Sequence, residues 1–98
     1  MKPESEMTND AQTTLLSIDE LCSVGALSPQ WVVERVQSGL LVQLSGEPSA
    51  WRFDAWVLRR ARSMSRLERE YDAVPELAAL VADLEDEVRR LKQRLEHG

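Results

Sequence analysis

The chain has 98 residues, a single cysteine, and a net charge of -5 from 12 basic and 17 acidic side chains. That length fits one small domain whose core is marginal unless a partner or a second copy adds buried surface, and one thiol, Cys22, excludes an intrachain disulfide. The acidic balance argues against a protein built chiefly to grip phosphates, which gathers Lys and Arg where it meets them.

Residues 1–14 are polar, lack the apolar stretch of a secretory signal, and read as a disordered N-terminal tail. No run approaches the ~20 apolar residues of a membrane helix. A lone Cys22, read as a small buried apolar side chain, suits a reducing, cytoplasmic setting.

The first element announces itself by Ser17-Ile18-Asp19-Glu20, a capping box in which serine and glutamate satisfy each other's free backbone donors. A short helix is predicted over 18–23, with Ile18, Leu21 and Cys22 inward and Gly25 making the turn. Ser28 and Pro29 open a second helix as N-cap and first helical residue, Val32, Val33 and Val36 form its inner stripe, and Gly39 stops it in the left-handed conformation. Leu40 to Leu44 reads as a strand, 45–49 as a turn and Trp51-Arg52-Phe53 as a returning strand, together a small β-hairpin. Asp54 then caps a long third helix, with Phe53 and Leu58 at the spacing of a hydrophobic staple. Val57, Leu58, Ala61, Met64 and Leu67 line its inner face, and Arg59, Arg60, Arg62 and Arg66 look outward. Val74-Pro75 breaks the path, because a residue before proline is pushed out of the helical region.

The fourth helix has the clearest period. Leu77, Val81, Leu84, Val88, Leu91 and Leu95 step by four, three, four, three and four residues, an a/d seam that asks for a partner helix and predicts a homodimer. Its flanks carry Glu85 and Glu87 early, then Lys92 and Arg94 late. An antiparallel copy sets the acidic half on the basic half, while a parallel one also pairs Glu87 with Lys92, so charge leaves the direction open. The chain therefore divides into the tail 1–14, a winged helix-turn-helix domain over 15–73, and a dimerisation helix over 74–98.

A helix-turn-helix invites comparison with DNA readers, whose second helix meets base edges. Here 29–38 offers Gln30, Arg35 and Gln37 against Glu34, and sums to zero. Only the block 51–70 is basic, at +3, so Arg52, Arg59, Arg60 and Arg62 are the candidate phosphate contacts. Surfaces for a protein partner are Asp19, Glu34 and Glu47 with Trp31, Trp51 and Trp56 as large anchors, although Trp51 alternates with Arg52 and Phe53 in the manner of a buried face.

The runs Leu16 to Cys22 and Glu34 to Leu41, the element Trp51-Arg52-Phe53-Asp54, the segment around Arg60-Ala61-Arg62 and the terminal Leu91 to Leu95 resemble the chaperone-modulatory CbpM family, an offshoot of the MerR-type fold. The resemblance covers about 15–95. It implies a mainly α, MerR-like winged helix-turn-helix followed by the heptad helix. It also implies a protein that binds the J-domain of a CbpA/DnaJ-like co-chaperone, inhibiting its stimulation of Hsp70 (DnaK) and its DNA binding. The alternative is a MerR-type transcription regulator. An enzyme is not expected: the one histidine, His97, lies at the terminus, Cys22 lacks a partner base, and no metal spacing or glycine-rich phosphate loop points to a metal or cofactor.

Overall fold

The computed structural model describes residues 15–44, 47 and 50–97, with helices α1 (Ile18–Gly25), α2 (Pro29–Gln37), α3 (Ala55–Tyr71) and α4 (Pro75–His97). The expected N-terminal tail and most of the expected hairpin turn lie outside these residues. Three of the helices begin as their sequences dictate. Ser17 and Glu20 close the capping box, with Ser17 N–H donating to Glu20 Oε1 at 2.8 Å and Glu20 N–H to Ser17 Oγ at 3.1 Å. Ser28 Oγ accepts from Trp31 N–H at 3.1 Å ahead of Pro29, and Asp54 Oδ1 accepts from Val57 N–H at 2.9 Å. Pro75 sits in the first turn of α4, where its missing donor costs nothing, and the Val74 carbonyl accepts from Ala78 N–H at 2.9 Å.

The helix ends depart from expectation in two places. Helix α1 runs on through Gly25, and it is Ala26 that takes the left-handed conformation at φ 57°. Gly25 answers to a different demand, since a Cβ there would stand 2.9 Å from Leu27 Cδ1 and 3.2 Å from Leu58 Cδ1. Helix α3 ends at Tyr71, three residues ahead of the Val74-Pro75 break, with Asp72 left-handed at φ 54°. At the end of α2 the expectation holds: Gly39 has φ 82°, which brings Leu40 N–H and Leu41 N–H to the Arg35 carbonyl at 2.9 and 3.1 Å.

The hairpin is the main correction. No strand forms among the described residues; one cross-link, Leu44 N–H to the Arg52 carbonyl at 2.9 Å, is what the two predicted strands share. The physical reason is competition at both ends. Leu40 and Leu41 are drawn to the Arg35 carbonyl and Leu41 is buried, while Phe53 exchanges both backbone hydrogen bonds with Leu16, each 2.8 Å, in an isolated antiparallel bridge. That bridge ties the entry of α1 to the entry of α3.

The core sits where α3 meets everything else. Val57, Ala61, Met64 and Leu67 are buried beneath Leu21, Leu27, Val32, Leu41, Trp51 and Phe53, with Leu58, Val33 and Val36 half-buried at the margin. Helix α4 returns along α3 on a face of small residues, Ala78, Ala79 and Ala82, all buried. Cys22 lies in the same core, where burial, reinforced by the Asp19 carboxylate, pushes its thiol above the ordinary range.

Two outcomes are expected. Gly39→Ala has open space for its methyl but must hold a left-handed backbone, so denaturant unfolding should show a loss of about 1–2 kcal/mol. At pH 8 Cys22 should alkylate more slowly in the folded chain than in denaturant, because less of it is thiolate; equal rates would contradict the burial described.

Candidate functional site

The second helix of the motif is where a DNA reader would present its cations, and here its one cation is held inward. Trp31 and Arg35 stand one turn apart on α2 and both reach Glu68 of α3. Trp31 Nε1 donates to Glu68 Oε1 at 2.9 Å, and Arg35 binds the carboxylate with both arms, Nε to Oε2 at 3.1 Å and Nη2 to Oε1 at 2.7 Å. The guanidinium also stacks over the Trp31 ring at 4.9 Å. Both partners of the pair are largely buried, at 13% and 15% side-chain exposure, so the geometry is of the bidentate, charge-assisted kind. What α2 leaves exposed is Gln30, Glu34 and Gln37, with no exposed cation.

The arginines of α3 divide. Arg60, expected to look outward, folds back: Nε donates to the Leu40 carbonyl at 2.9 Å, Nη1 pairs with Asp83 of α4, and the guanidinium lies 5.3 Å over the Trp56 ring. Arg66 pairs with Glu85 at 2.9 Å. Arg52 turns onto its neighbour's carbonyl, Nη1 to Trp51 O at 2.8 Å. Arg59 and Arg62 are exposed. Of the four cations assigned to phosphates, Arg60 is thus neutralised by a carboxylate of the protein itself and Arg52 is turned onto a backbone carbonyl.

The residues singled out for a protein partner are dispersed. Asp19, Glu34 and Glu47 are exposed. Trp31 is half-buried in the Glu68 cluster, and Trp51 is a core residue, 5% exposed, edge-on to Phe53 at 6.3 Å. Trp56 is exposed where α3 begins, its Nε1 3.4 Å from Asp86 Oδ2. The cluster Trp31–Arg35–Glu68 was not legible in the sequence, because Glu68 is a lone carboxylate in an arginine-rich helix and nothing local marks its partner.

The second surface is the outer side of α4. Because the alanines face α3, Leu77, Leu84, Val88, Leu91 and Leu95 are left exposed and Val81 half-buried, with Leu84 at 57% and Val88 at 50%. Leu80, Tyr71 and Val74 extend this apolar surface around the α3–α4 elbow, beside a groove of about 570 Å³ lined by Leu67, Tyr71, Val74, Leu77 and Val81. Large apolar side chains left exposed along one helix face are the usual character of surfaces that meet a partner. Among the described residues no His, Cys, Asp or Glu cluster could hold a metal, and no helix is long and apolar enough to cross a membrane.

Residues 16–97 match the family described as MerR HTH family regulatory protein. The proteins named chaperone modulatory protein CbpM from Coxiella burnetii strains Dugway 5J108-111, RSA 331 / Henzerling II and CbuG_Q212 are each 31% identical to the chain over 80 residues, covering 82% of it and 76% of their own length. No solved structure gives a significant match. Both comparisons are with regulators or modulators, not with enzymes.

Glu68→Ala leaves the Arg35 guanidinium and the Trp31 indole without their acceptor. We expect a loss of about 1–3 kcal/mol in denaturant unfolding, with the larger part recovered by Glu68→Gln, which keeps an oxygen for the indole. Equal losses for the two substitutions would mean that the negative charge paired with Arg35, and not the oxygen offered to the indole, carries the contribution.

Proposed function

The chain belongs to the chaperone modulatory protein CbpM family, within the MerR helix-turn-helix regulatory family, and from that premise we propose that it is a cytoplasmic anti-co-chaperone. It binds the J-domain of a CbpA/DnaJ-like co-chaperone and, by occupying it, blocks stimulation of Hsp70 (DnaK) and the co-chaperone's own DNA binding. The observation that carries this reading is the Arg35–Glu68 pair: a helix-turn-helix whose reading helix keeps its only cation bound to its own scaffold is fitted to protein and not to DNA.

The charge balance supports the same choice. A J-domain docks on Hsp70 through a basic helix, and a chain of net charge -5 with exposed Asp19, Glu34 and Glu47 complements it. Such complementarity steers encounter and selects partners, while exposed apolar and aromatic groups supply most of the affinity.

Helix α4 serves, in this reading, to pair two copies of the chain. Its outward face carries the leucine seam, and its charge is segregated: 75–88 hold five carboxylates and no base, 89–97 hold four bases and one carboxylate. Opposed copies bring unlike halves together and a parallel pair also brings Glu87 to Lys92, so charge supports pairing in either direction.

Titrating the chain against an isolated J-domain of a CbpA-like co-chaperone, with duplex DNA as the parallel ligand, tests the main reading. Saturable micromolar or tighter binding to the J-domain alone is expected, weakening as salt rises, since exposed charges are screened within about 10 Å at 0.1 M ionic strength. Preferential binding to DNA would return the chain to the transcription regulators. For self-association, solution mass should be dimeric in the wild type and monomeric for Leu84→Asp; a monomer in both rejects the role given to α4.

A further inference from the structure

The seam is one side of α4; the opposite side carries a second surface of different chemistry. Counting 100° per residue, Asp86, Arg89, Arg90 and Gln93 lie across the helix axis from Leu84, Val88, Leu91 and Leu95. Further up the helix this same side is the alanine face packed on α3, and it emerges into solvent where α3 begins. Trp56, in the first turn of α3, and Arg59 wall the corner, which encloses a notch of about 370 Å³.

The electrostatics of this corner are lopsided. Its one lining carboxylate, Asp86, accepts from three donors: Trp56 Nε1 at 3.4 Å, Arg89 Nη1 at 3.2 Å and Arg90 Nη1. Glu87, next to Asp86 in sequence and outside the notch lining, takes a second arm of Arg90. Arg59 lines the notch, exposed, and is in no ion pair among the described residues. A guanidinium has five donors in a fixed fork; Arg90 divides its two arms between Asp86 and Glu87, Arg89 meets Asp86 through one arm and Arg59 does not meet it, so the free donor capacity is chiefly that of Arg59 and Arg89. Asp86, at 16% side-chain exposure, fixes the arginines in place without saturating them.

We propose that this corner is a carboxylate-docking notch, in which an aspartate or glutamate side chain of a partner protein enters between Arg59, Arg89 and Arg90 beside the indole of Trp56. Guanidinium forks match a carboxylate bidentately, and the indole supplies an apolar wall that excludes water from the pair. The surroundings select a single carboxylate over a phosphate chain. Asp83, Glu85 and Glu87 stand on the adjoining turns of α4, where they repel a ligand carrying charge after charge but leave room for one. Because the notch and the seam are on opposite sides of α4, a second copy on the seam leaves the notch open.

The proposal rests on the reading that the chain acts by holding another protein, and it adds a basic point of contact to a predominantly acidic surface. Its test has two arms. In the first, the full chain is titrated with a capped Gly-Gly-Glu-Gly-Gly peptide, which carries one carboxylate, and with a 12-nucleotide thymidine strand, following tryptophan fluorescence. The peptide should give a saturable change that is at least five-fold weaker for Arg59→Gln/Arg89→Gln and absent for Trp56→Phe, and the DNA strand should bind no more tightly than the peptide. An undiminished response in the double variant, or tighter binding of the DNA strand, overturns the notch. In the second arm the double variant is titrated with the CbpA-like J-domain. A loss of about ten-fold or more at unchanged solution mass supports the notch as part of that interface, and an unchanged affinity removes it from there. If the wild type itself fails to bind the J-domain, the functional reading falls while the peptide arm still decides the notch.

Discussion

Helix α3 packs against α4 through Ala78, Ala79 and Ala82, and most of what the surface can do follows from the smallness of those side chains. Small residues let the two helices approach closely, so α4 is anchored by a narrow face and its large apolar residues are turned away from the domain. A leucine-rich face packed on α3 would have closed the core and left a monomer with a polar exterior. The domain instead keeps a core of modest size and leaves the heptad seam of α4 exposed.

Helix α3 also organises the charge. Its arginines and Glu68 are not a uniform basic face: Glu68 turns inward to hold Arg35, Arg60 binds the Leu40 carbonyl and Asp83, and Arg66 meets Glu85. The same contacts that lock α2 and α4 onto α3 remove cations from the surfaces where a helix-turn-helix would meet phosphates. One set of ion pairs therefore both joins the helices and lowers the positive charge of the surface. Those pairs are part-buried or bidentate in the cases that matter, which separates Arg35–Glu68 from ordinary exposed pairs of small effect.

What the sequence disclosed was local. Ser17, Ser28 and Asp54 mark helix starts because a cap is a contact over three residues, and the seam of α4 is legible because its period is a property of one helix. What it concealed depends on distant segments. Leu40 to Leu44 and Trp51 to Phe53 have the composition of a hairpin, but Phe53 takes Leu16 as its partner, a choice that no window around residue 53 contains. The Glu68 cluster joins residues 33 and 37 positions apart, and Arg60 reaches back 20 residues to Leu40. The notch at Asp86 likewise exists only because α4 outruns α3. Trp51 was read both as an anchor and as a buried face; the structure places it in the core.

Helix α4 has 23 residues and α3 has 17, which at about 1.5 Å per residue leaves α4 longer by roughly 9 Å. From Val88 to Glu96 every side chain is exposed, so this end of the helix has no tertiary burial within one chain to offset the entropy of ordering it. Under the pairing proposed for α4, its helical order would be governed by mass action: dilution would favour a frayed arm on a folded domain, crowding of copies a continuous helix, and the melting temperature would become a function of the protein's own concentration.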